Sequence, residues 1–388
     1  MIPLKRSLLG AVLRITAVLP FSIPSLLPGK NNCVVYVGTY TKTDSKGIYA
    51  FSFDSATGRL QPLGLAGEAV HPSFLAIHPN GRYLYAVQEA PSQQDPRVGL
   101  ISAFSIDPES HQLMRLGNVS STGDSPCYLH LDHNGRFLLT ANYGSGSIVV
   151  FPILDGGRLG EPCSQIQHQG SGPDPVRQKG PHAHSIRFSP DERFVLSADL
   201  GLDRLMIYRF NRRTGALTVN DPPYFQTAAG AGPRHFAFSP DSRFIYLINE
   251  LNSTLTAVKW DRKNGMPTVV QTVSTIPDTF TETNSTAEIL VHPTGRFVYG
   301  SNRGHNSIVV FHRDRRSGTL TLIEHVSTRG KTPRHFAIDP DGKWLIAANQ
   351  NSDSIVVFRI DAKTGRLTEA SQPVSLSMPV CILFVEIK

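Results

Sequence analysis

Chemistry in this chain could turn on His184, Arg234, Glu250 and Arg303. An imidazole, with an ordinary pKa of ~6.5, can take up a proton near neutral pH. A carboxylate can share or orient that task, and a guanidinium can grip an anion through two parallel N–H donors. Arg334 adds a third guanidinium, and His182, His235, Glu288, His305 and His335 stand beside these positions. Each also has a plainer reading: His182 as a turn residue, Arg334 as the partner of Asp353 or another carboxylate, Glu89 and Glu288 as rim partners. Their convergence from distant parts of the chain, rather than any one residue, points to a site.

A repeat must bring them together. A turn of Pro, Asp, Asn or Gly, then a basic residue, then an aromatic or aliphatic run recurs at residues 78–85, 132–137, 189–194, 239–244, 292–297 and 339–344. The basic anchors are Arg82, Arg136, Arg193, Arg243, Arg296 and Lys343, spaced by 54, 57, 50, 53 and 47 residues. Around each anchor the chain parses into four short runs of β-branched and aromatic residues. Phe236-Ala237-Phe238 precedes a turn, residues 244–248 follow it, and residues 307–311 typify the third run. A Thr-Gly or Ser-Gly turn (Thr57-Gly58, Thr214-Gly215, Ser317-Gly318, Thr364-Gly365) opens the fourth. Such runs, split by Gly, Pro, Asn and Asp, are strands and turns, and no segment shows a long helical period.

A four-stranded repeat of roughly 40–50 residues is a propeller blade. At about 52 residues per unit, residues 31–388 predict an all-β, seven-bladed β-propeller with four antiparallel strands per blade. Six blades carry the turn motif. The seventh is split: residues 34–38 match a second strand, 47–51 a third, and 380–384 supply the missing first. One blade built from both ends closes the ring and removes an open sheet edge. A two-sheet sandwich would need about 28 strands, beyond normal sheet sizes.

The first strand of a blade is innermost, so its start lines the channel mouth. Aligned on the anchors, the starts carry Ser73, Cys127, His184, Arg234, Ala287 and Arg334, with Val380 in the split blade. The second strands return to the same face and end at Glu89, Tyr143, Leu200, Glu250, Arg303 and Gln350. A bare scaffold asks for small or apolar residues at the starts, whereas here three guanidiniums and a histidine converge. Like charges so placed repel unless an anion or carboxylate sits among them. Glu250 balances only part of that charge, so the expected ligand is small and anionic.

The 388 residues are 40% hydrophobic and 18% charged, which excludes an intrinsically disordered chain. The net charge of +7 contains no Lys/Arg block of the nucleic-acid-binding kind. Cys33, Cys127, Cys163 and Cys381 are too few and scattered for a disulfide framework, and no C-x-x-C spacing suggests zinc. Residues 1–30 resemble a leader: Lys5 and Arg6, then apolar runs broken by Arg14, Pro20 and Pro24. They are too broken to span a membrane, which takes ~20 apolar residues. The protein is expected to be cytoplasmic if this segment is not a signal and exported or periplasmic if it is. A monomer is expected, with residues 31–388 as a single propeller domain.

The runs Gly180-Pro181-His182-Ala183-His184-Ser185, Gly232-Pro233-Arg234-His235, Asn249-Glu250, Ala287-Glu288-Ile289, Ser301-Asn302-Arg303-Gly304 and Pro333-Arg334-His335-Phe336 resemble the seven-bladed propeller lactonase family. That family holds propeller-type 6-phosphogluconolactonases and the carboxy-cis,cis-muconate lactonising enzyme. The resemblance covers roughly residues 34–388 and implies an active-site cleft of His184, Arg234, Glu250 and Arg303. It implies hydrolysis of an anionic sugar lactone, 6-phospho-D-glucono-1,5-lactone foremost. His184 would activate water, one arginine would stabilise the oxyanion, and another, with Arg334, would hold a phosphate or carboxylate. No Gly-x-Ser-x-Gly elbow is present, so Ser185 is not expected to act as a nucleophile. No cofactor or metal is required, and His182-x-His184 alone is a weak ligand pair. Two other readings remain open: a lactonising cycloisomerase acting on a polycarboxylate, and a binding scaffold. A scaffold would show an aromatic face, yet Trp260 lies in a third strand and Trp344 at a turn.

If both ends share one blade, deleting residues 380–388 abolishes cooperative folding. A truncated chain that melts cooperatively at the parent temperature would contradict the closure.

Overall fold

The computed structural model describes residues 1, 32–90, 95 and 97–386. The expected leader falls outside the described residues. The described residues form seven antiparallel sheets, one per blade, with the strands of six of them in chain order from the channel outward. Blade four shows the plan: Pro233–Phe238, Phe244–Asn249, Thr254–Asp261 and Met266–Ser274. In blade six the outer strand is in two pieces, Leu367–Glu369 and Val374–Ser375, both against Ser354–Ile360. The closing blade takes Pro379–Glu386 from the end of the chain and pairs it with Asn32–Thr39, Val35 opposite Phe384 and Val37 opposite Ile382. Gly47–Asp54 and Arg59–Glu68 complete it. The split-blade expectation therefore holds strand by strand.

The core lies between blades rather than within one. Phe194, Ile207, Phe236 and Trp260 form one buried cluster from blades three and four; Phe53, Trp344, Ile346 and Ile382 form another from blade six and the closing blade. Burying both faces of each sheet this way removes apolar area from water, at roughly 25 cal/mol per Å².

The residue after each basic anchor makes the joint between blades. The ring of Phe244 lies against Gly318, which turns from the third to the fourth strand of blade five. Gly318 sits at φ 79°, and a Cβ there would collide with that ring. Phe194 meets Gly265 and Phe297 meets Gly365 in the same way. The anchor guanidinium covers the ring, Arg243 standing 5.4 Å from the Phe244 centroid. Two residues on, Tyr246 donates its hydroxyl to Gly318 O at 3.0 Å, and Tyr299 repeats this to Gly365 O at 2.8 Å. Trp344 carries the joint into the closing blade: its ring packs on Gly58, and Nε1–H donates to Ser55 O at 2.8 Å. The last joint has no glycine. Tyr36 donates instead to His111 O at 3.0 Å, with His111 itself at φ 59°.

Gly318→Ala combines a left-handed backbone with overpacking, so a loss of about 2–4 kcal/mol is expected. Gly81 has φ 73° with open space around it, so Gly81→Ala pays only the backbone part, about 1–2 kcal/mol. Thermal melts of the two variants separate the terms. Equal losses would show that the joint contributes nothing.

Candidate active site

Two local devices aim the side chains at the mouth. The first is a β-bulge at the second residue of the innermost strand. In blade four Pro233 pairs with Asn249 and His235 with Ile248, leaving Arg234 as the extra residue. The same slip leaves out His184 in blade three, Arg334 in blade six, Cys127 in blade two and Val380 in the closing blade. A bulge re-aims its extra residue and locally ends the pairing. The second device is an amide at the end of the second strand. Asn249 Nδ2 donates to Thr254 Oγ1 at 2.9 Å and Thr256 Oγ1 at 3.0 Å; Asn302 Nδ2 donates to Thr275 O at 2.7 Å. These ties fix the next residue in each case, Glu250 and Arg303.

Glu250 is the centre of the cluster. Its Oε2 stands 3.0 Å from Arg234 Nε and 2.8 Å from Arg303 Nη2, and its Oε1 accepts from Arg177 Nη2 at 2.7 Å. The Arg234 contact lacks hydrogen-bond alignment, so it is a charge contact only. Arg234 Nη1 also donates to Ala287 O at 2.7 Å, and Arg303 Nη2 to Thr286 O at 2.7 Å. Burial alone would raise the pKa of Glu250, but the guanidiniums of Arg303 and Arg234 hold it well below the carboxylate range. Burial, with Arg303 and Arg334 beside it, brings Arg234 down to about 10. His184 is buried next to this cluster, with Cys127 Sγ 3.8 Å from its Nδ1 and the Tyr143 ring edge-on at 5.3 Å. Burial, then the charges of Arg234 and His235, push its pKa well below 6.5. The imidazole is thus neutral and less basic than its residue type alone implies.

Behind the mouth lies a second layer. His235 Nε2 accepts from Arg234 Nη1 at 3.2 Å, which puts its proton on Nδ1, donating to Glu288 Oε2 at 2.9 Å. His335 Nδ1 accepts from Ile382 N–H at 3.2 Å, leaving its proton on Nε2, 3.2 Å from the same Oε2. Glu288 Oε1 takes Ile289 N–H at 2.9 Å. Burial pushes the Glu288 carboxyl up, and these donors oppose that by favouring the carboxylate. His235, Glu288 and His335 are therefore braces of Arg234, one layer in from the mouth. A cavity of about 600 Å³ reaches Glu288 and His335 from the opposite end of the channel, past Leu131, Leu290 and Ile338.

Arg334 lies over the Tyr40 ring, 5.3 Å from its centroid, with Glu89 Oε2 at 4.0 Å. Its carboxylate neighbour is thus Glu89 rather than Asp353, whose Oδ1 accepts Met378 N–H. His182 stacks on Tyr143, ring centroids 4.5 Å apart, and its backbone N–H donates to Asp199 Oδ1 at 2.8 Å. His305 is not brought into the cluster: it packs against Phe280 and His325, with Nδ1 2.6 Å from Ser307 Oγ. Arg177, which sequence reasoning missed, comes from residues 169–182 between blades two and three, outside the repeat. Its only sequence signal is a basic residue just ahead of Gly180-Pro181-His182. Among the described residues, no three His, Cys, Asp or Glu side chains are grouped to hold a metal ion. None of their helices is long and apolar enough to cross a membrane.

Four guanidiniums facing two carboxylates give this seven-bladed β-propeller a basic mouth. The profile of the family described as Lactonase, 7-bladed beta-propeller, matches residues 34–384, and the chain belongs to that family. It is 40% identical over 350 residues to a 6-phosphogluconolactonase of Bacillus subtilis, covering 90% of this chain and 97% of that one. A 6-phosphogluconolactonase of Pectobacterium carotovorum is 35% identical over 303 residues, covering 78% and 83%. The solved periplasmic gluconolactonase of Pseudomonas aeruginosa superposes with a TM-score of 0.86 at 34% identity, covering 92% of this chain and all (100%) of that one.

Histidines held neutral by the fold make stability depend on pH with a fixed sign. His184, His235 and the channel residue His130 all have pKa values well below 6.5 in the folded state, each chiefly from burial. The unfolded chain protonates them near pH ~6.5. Stability is therefore full above that pH and declines as pH falls from there toward the folded pKa values. The melting temperature is expected to drop between pH 7 and 5, and to drop less in His130→Phe. An equal drop in parent and variant would contradict the assignment for His130.

Proposed function

We propose that this protein hydrolyses 6-phospho-D-glucono-1,5-lactone to 6-phosphogluconate at the mouth formed by His184, Arg234, Glu250 and Arg303. The observation that carries this reading is the unbalanced charge: Arg177, Arg234, Arg303 and Arg334 around Glu250 and Glu89, with a neutral imidazole among them. Arg303 Nε is buried without a hydrogen-bond partner among the described residues, a donor left for a ligand oxygen. The names of the 6-phosphogluconolactonase relatives support the same substrate. The cycloisomerase and scaffold readings have no such support.

Water adds its oxygen to the lactone carbonyl carbon while His184 takes one of its protons. Arg303, or Arg234 through its remaining N–H groups, stabilises the negative charge that develops on the carbonyl oxygen. The ring C–O bond then breaks, and the proton on His184 passes to the departing ring oxygen. The product acid ionises, releasing one proton. Glu250 is too strongly clamped to serve as the base; it holds the arginines apart and in place. An anionic substrate beside His184 favours the imidazolium and offsets the effect of Arg234 during turnover. A second reading, the unphosphorylated gluconolactone, is supported by the name of the Pseudomonas relative.

Arg303→Ala is expected to cut kcat/KM by ~10²-fold or more, the scale for losing one oxyanion donor. His184→Ala is expected to cost ~10²–10⁴-fold and to remove the acid limb of the pH–kcat/KM profile. In the parent that limb lies below pH ~6.5, because the fold disfavours the imidazolium. Proton-release kinetics with both lactones measure all three. Full activity in both folded variants would leave the mouth as a binding site only.

A further inference from the structure

Of the four guanidiniums at the mouth, Arg177 differs in kind. The side chains of Arg234, Arg303 and Arg334 are 3%, 13% and 18% exposed; that of Arg177 is 40% exposed. Arg234 and Arg303 are tied to the backbone carbonyls of Ala287 and Thr286 as well as to Glu250. Arg177 uses Nη2 alone, toward Glu250 Oε1 and, at 3.2 Å, the Tyr143 hydroxyl. Its Nε and Nη1 have no partner among the described residues. The backbone beneath it is nevertheless fixed. Asp174 Oδ1 accepts Val176 N–H at 2.8 Å and Arg177 N–H at 2.9 Å. The buried Gln178 donates to Leu200 O and to Asp203 Oδ1, both at 2.8 Å. Such a residue presents free N–H groups from a rigid stalk, and its side chain can turn to free Nη2 as well.

We infer that Arg177 is the residue that reads the phosphate of the lactone, turning from Glu250 to bind it through the Nε and Nη2 edge while the buried arginines attend the carbonyl. The inference rests on the lactonase reading of the mouth and adds to it the source of substrate choice. A phosphate on an exocyclic arm needs a donor pair outside the buried cluster. Planar bidentate recognition of phosphate is what a guanidinium offers and an ammonium does not. When Arg177 turns to the phosphate, Glu250 keeps its Oε2 contacts with Arg234 and Arg303, and Oε1 is released to accept a sugar hydroxyl.

The test is Arg177→Gln, with Arg177→Lys beside it, on 6-phospho-D-glucono-1,5-lactone and on D-glucono-1,5-lactone. The expected result is a KM at least tenfold higher for the phosphorylated lactone, and a fall in kcat/KM at least tenfold greater for that lactone than for the unphosphorylated one. Arg177→Lys is expected to recover only part of the loss, since it lacks the fork. An equal loss on both lactones would overturn the inference and make Arg177 a positioning residue for Glu250. Calorimetric titration with 6-phosphogluconate and with gluconate keeps the question open to measurement even if the parent turns over neither lactone. The parent is expected to prefer 6-phosphogluconate, and Arg177→Gln to lose that preference. Failure of turnover alone sinks the lactonase reading, whereas equal preference in parent and variant sinks the role of Arg177.

Discussion

An aromatic ring set into the space of a missing Cβ holds blade to blade at six of the seven joints. Phe244 on Gly318, Phe297 on Gly365 and Trp344 on Gly58 are the same contact made at successive joints. Each needs two things at once, a left-handed turn that glycine adopts freely and a flat side chain large enough to reach it. Because the joint sits near the outer part of the neighbouring sheet, it fixes the tilt of that sheet. The tilt decides where the bulged residues at the channel end point. The position of Arg234 relative to Arg303 therefore follows from contacts at the far end of their blades.

The mouth itself works against the fold. Glu250, Arg234 and Arg303 are charged groups taken out of water, and their mutual attraction repays that only through close geometry. The layer behind them supplies that geometry. His235 accepts an N–H of Arg234 and donates its own N–H to Glu288, which also faces the His335 Nε2. Three residues, one from each of three blades, thus hold one guanidinium in a single orientation. Removing His235 would leave Arg234 buried with an N–H group short of its partner, a larger loss than that of one exposed charge pair.

The repeat made the ring legible. Six anchors in register give the blade count, and the same register places His184, Arg234 and Arg334 at equivalent strand starts, and Glu250 and Arg303 at equivalent strand ends. What it could not show was the slip in pairing that turns those residues outward, because a bulge leaves no mark in a period-two pattern. Alignment also could not separate the mouth from the layer behind it: His235 and His335 follow the arginines by one position and so face the other way. His305 follows Arg303 by two, past Gly304, where the chain turns away from the mouth. Arg177 lay in a stretch between blades with no counterpart elsewhere, so nothing in the repeat pointed to it.

The closing blade sets a condition on how the chain reaches this state. Val37 and Ile382 stand opposite each other on paired strands, yet they lie 345 positions apart. Contacts of such separation carry a loop-closure cost that intervening structure must first reduce. Blades one to six can each form from about fifty consecutive residues, but the innermost strand of the closing blade has a place to go only when the others stand in a ring. The residues around Val37 thus wait with an unpaired edge through most of folding. Any factor that slows arrival of the final strand lengthens the time for which that edge is open to another chain.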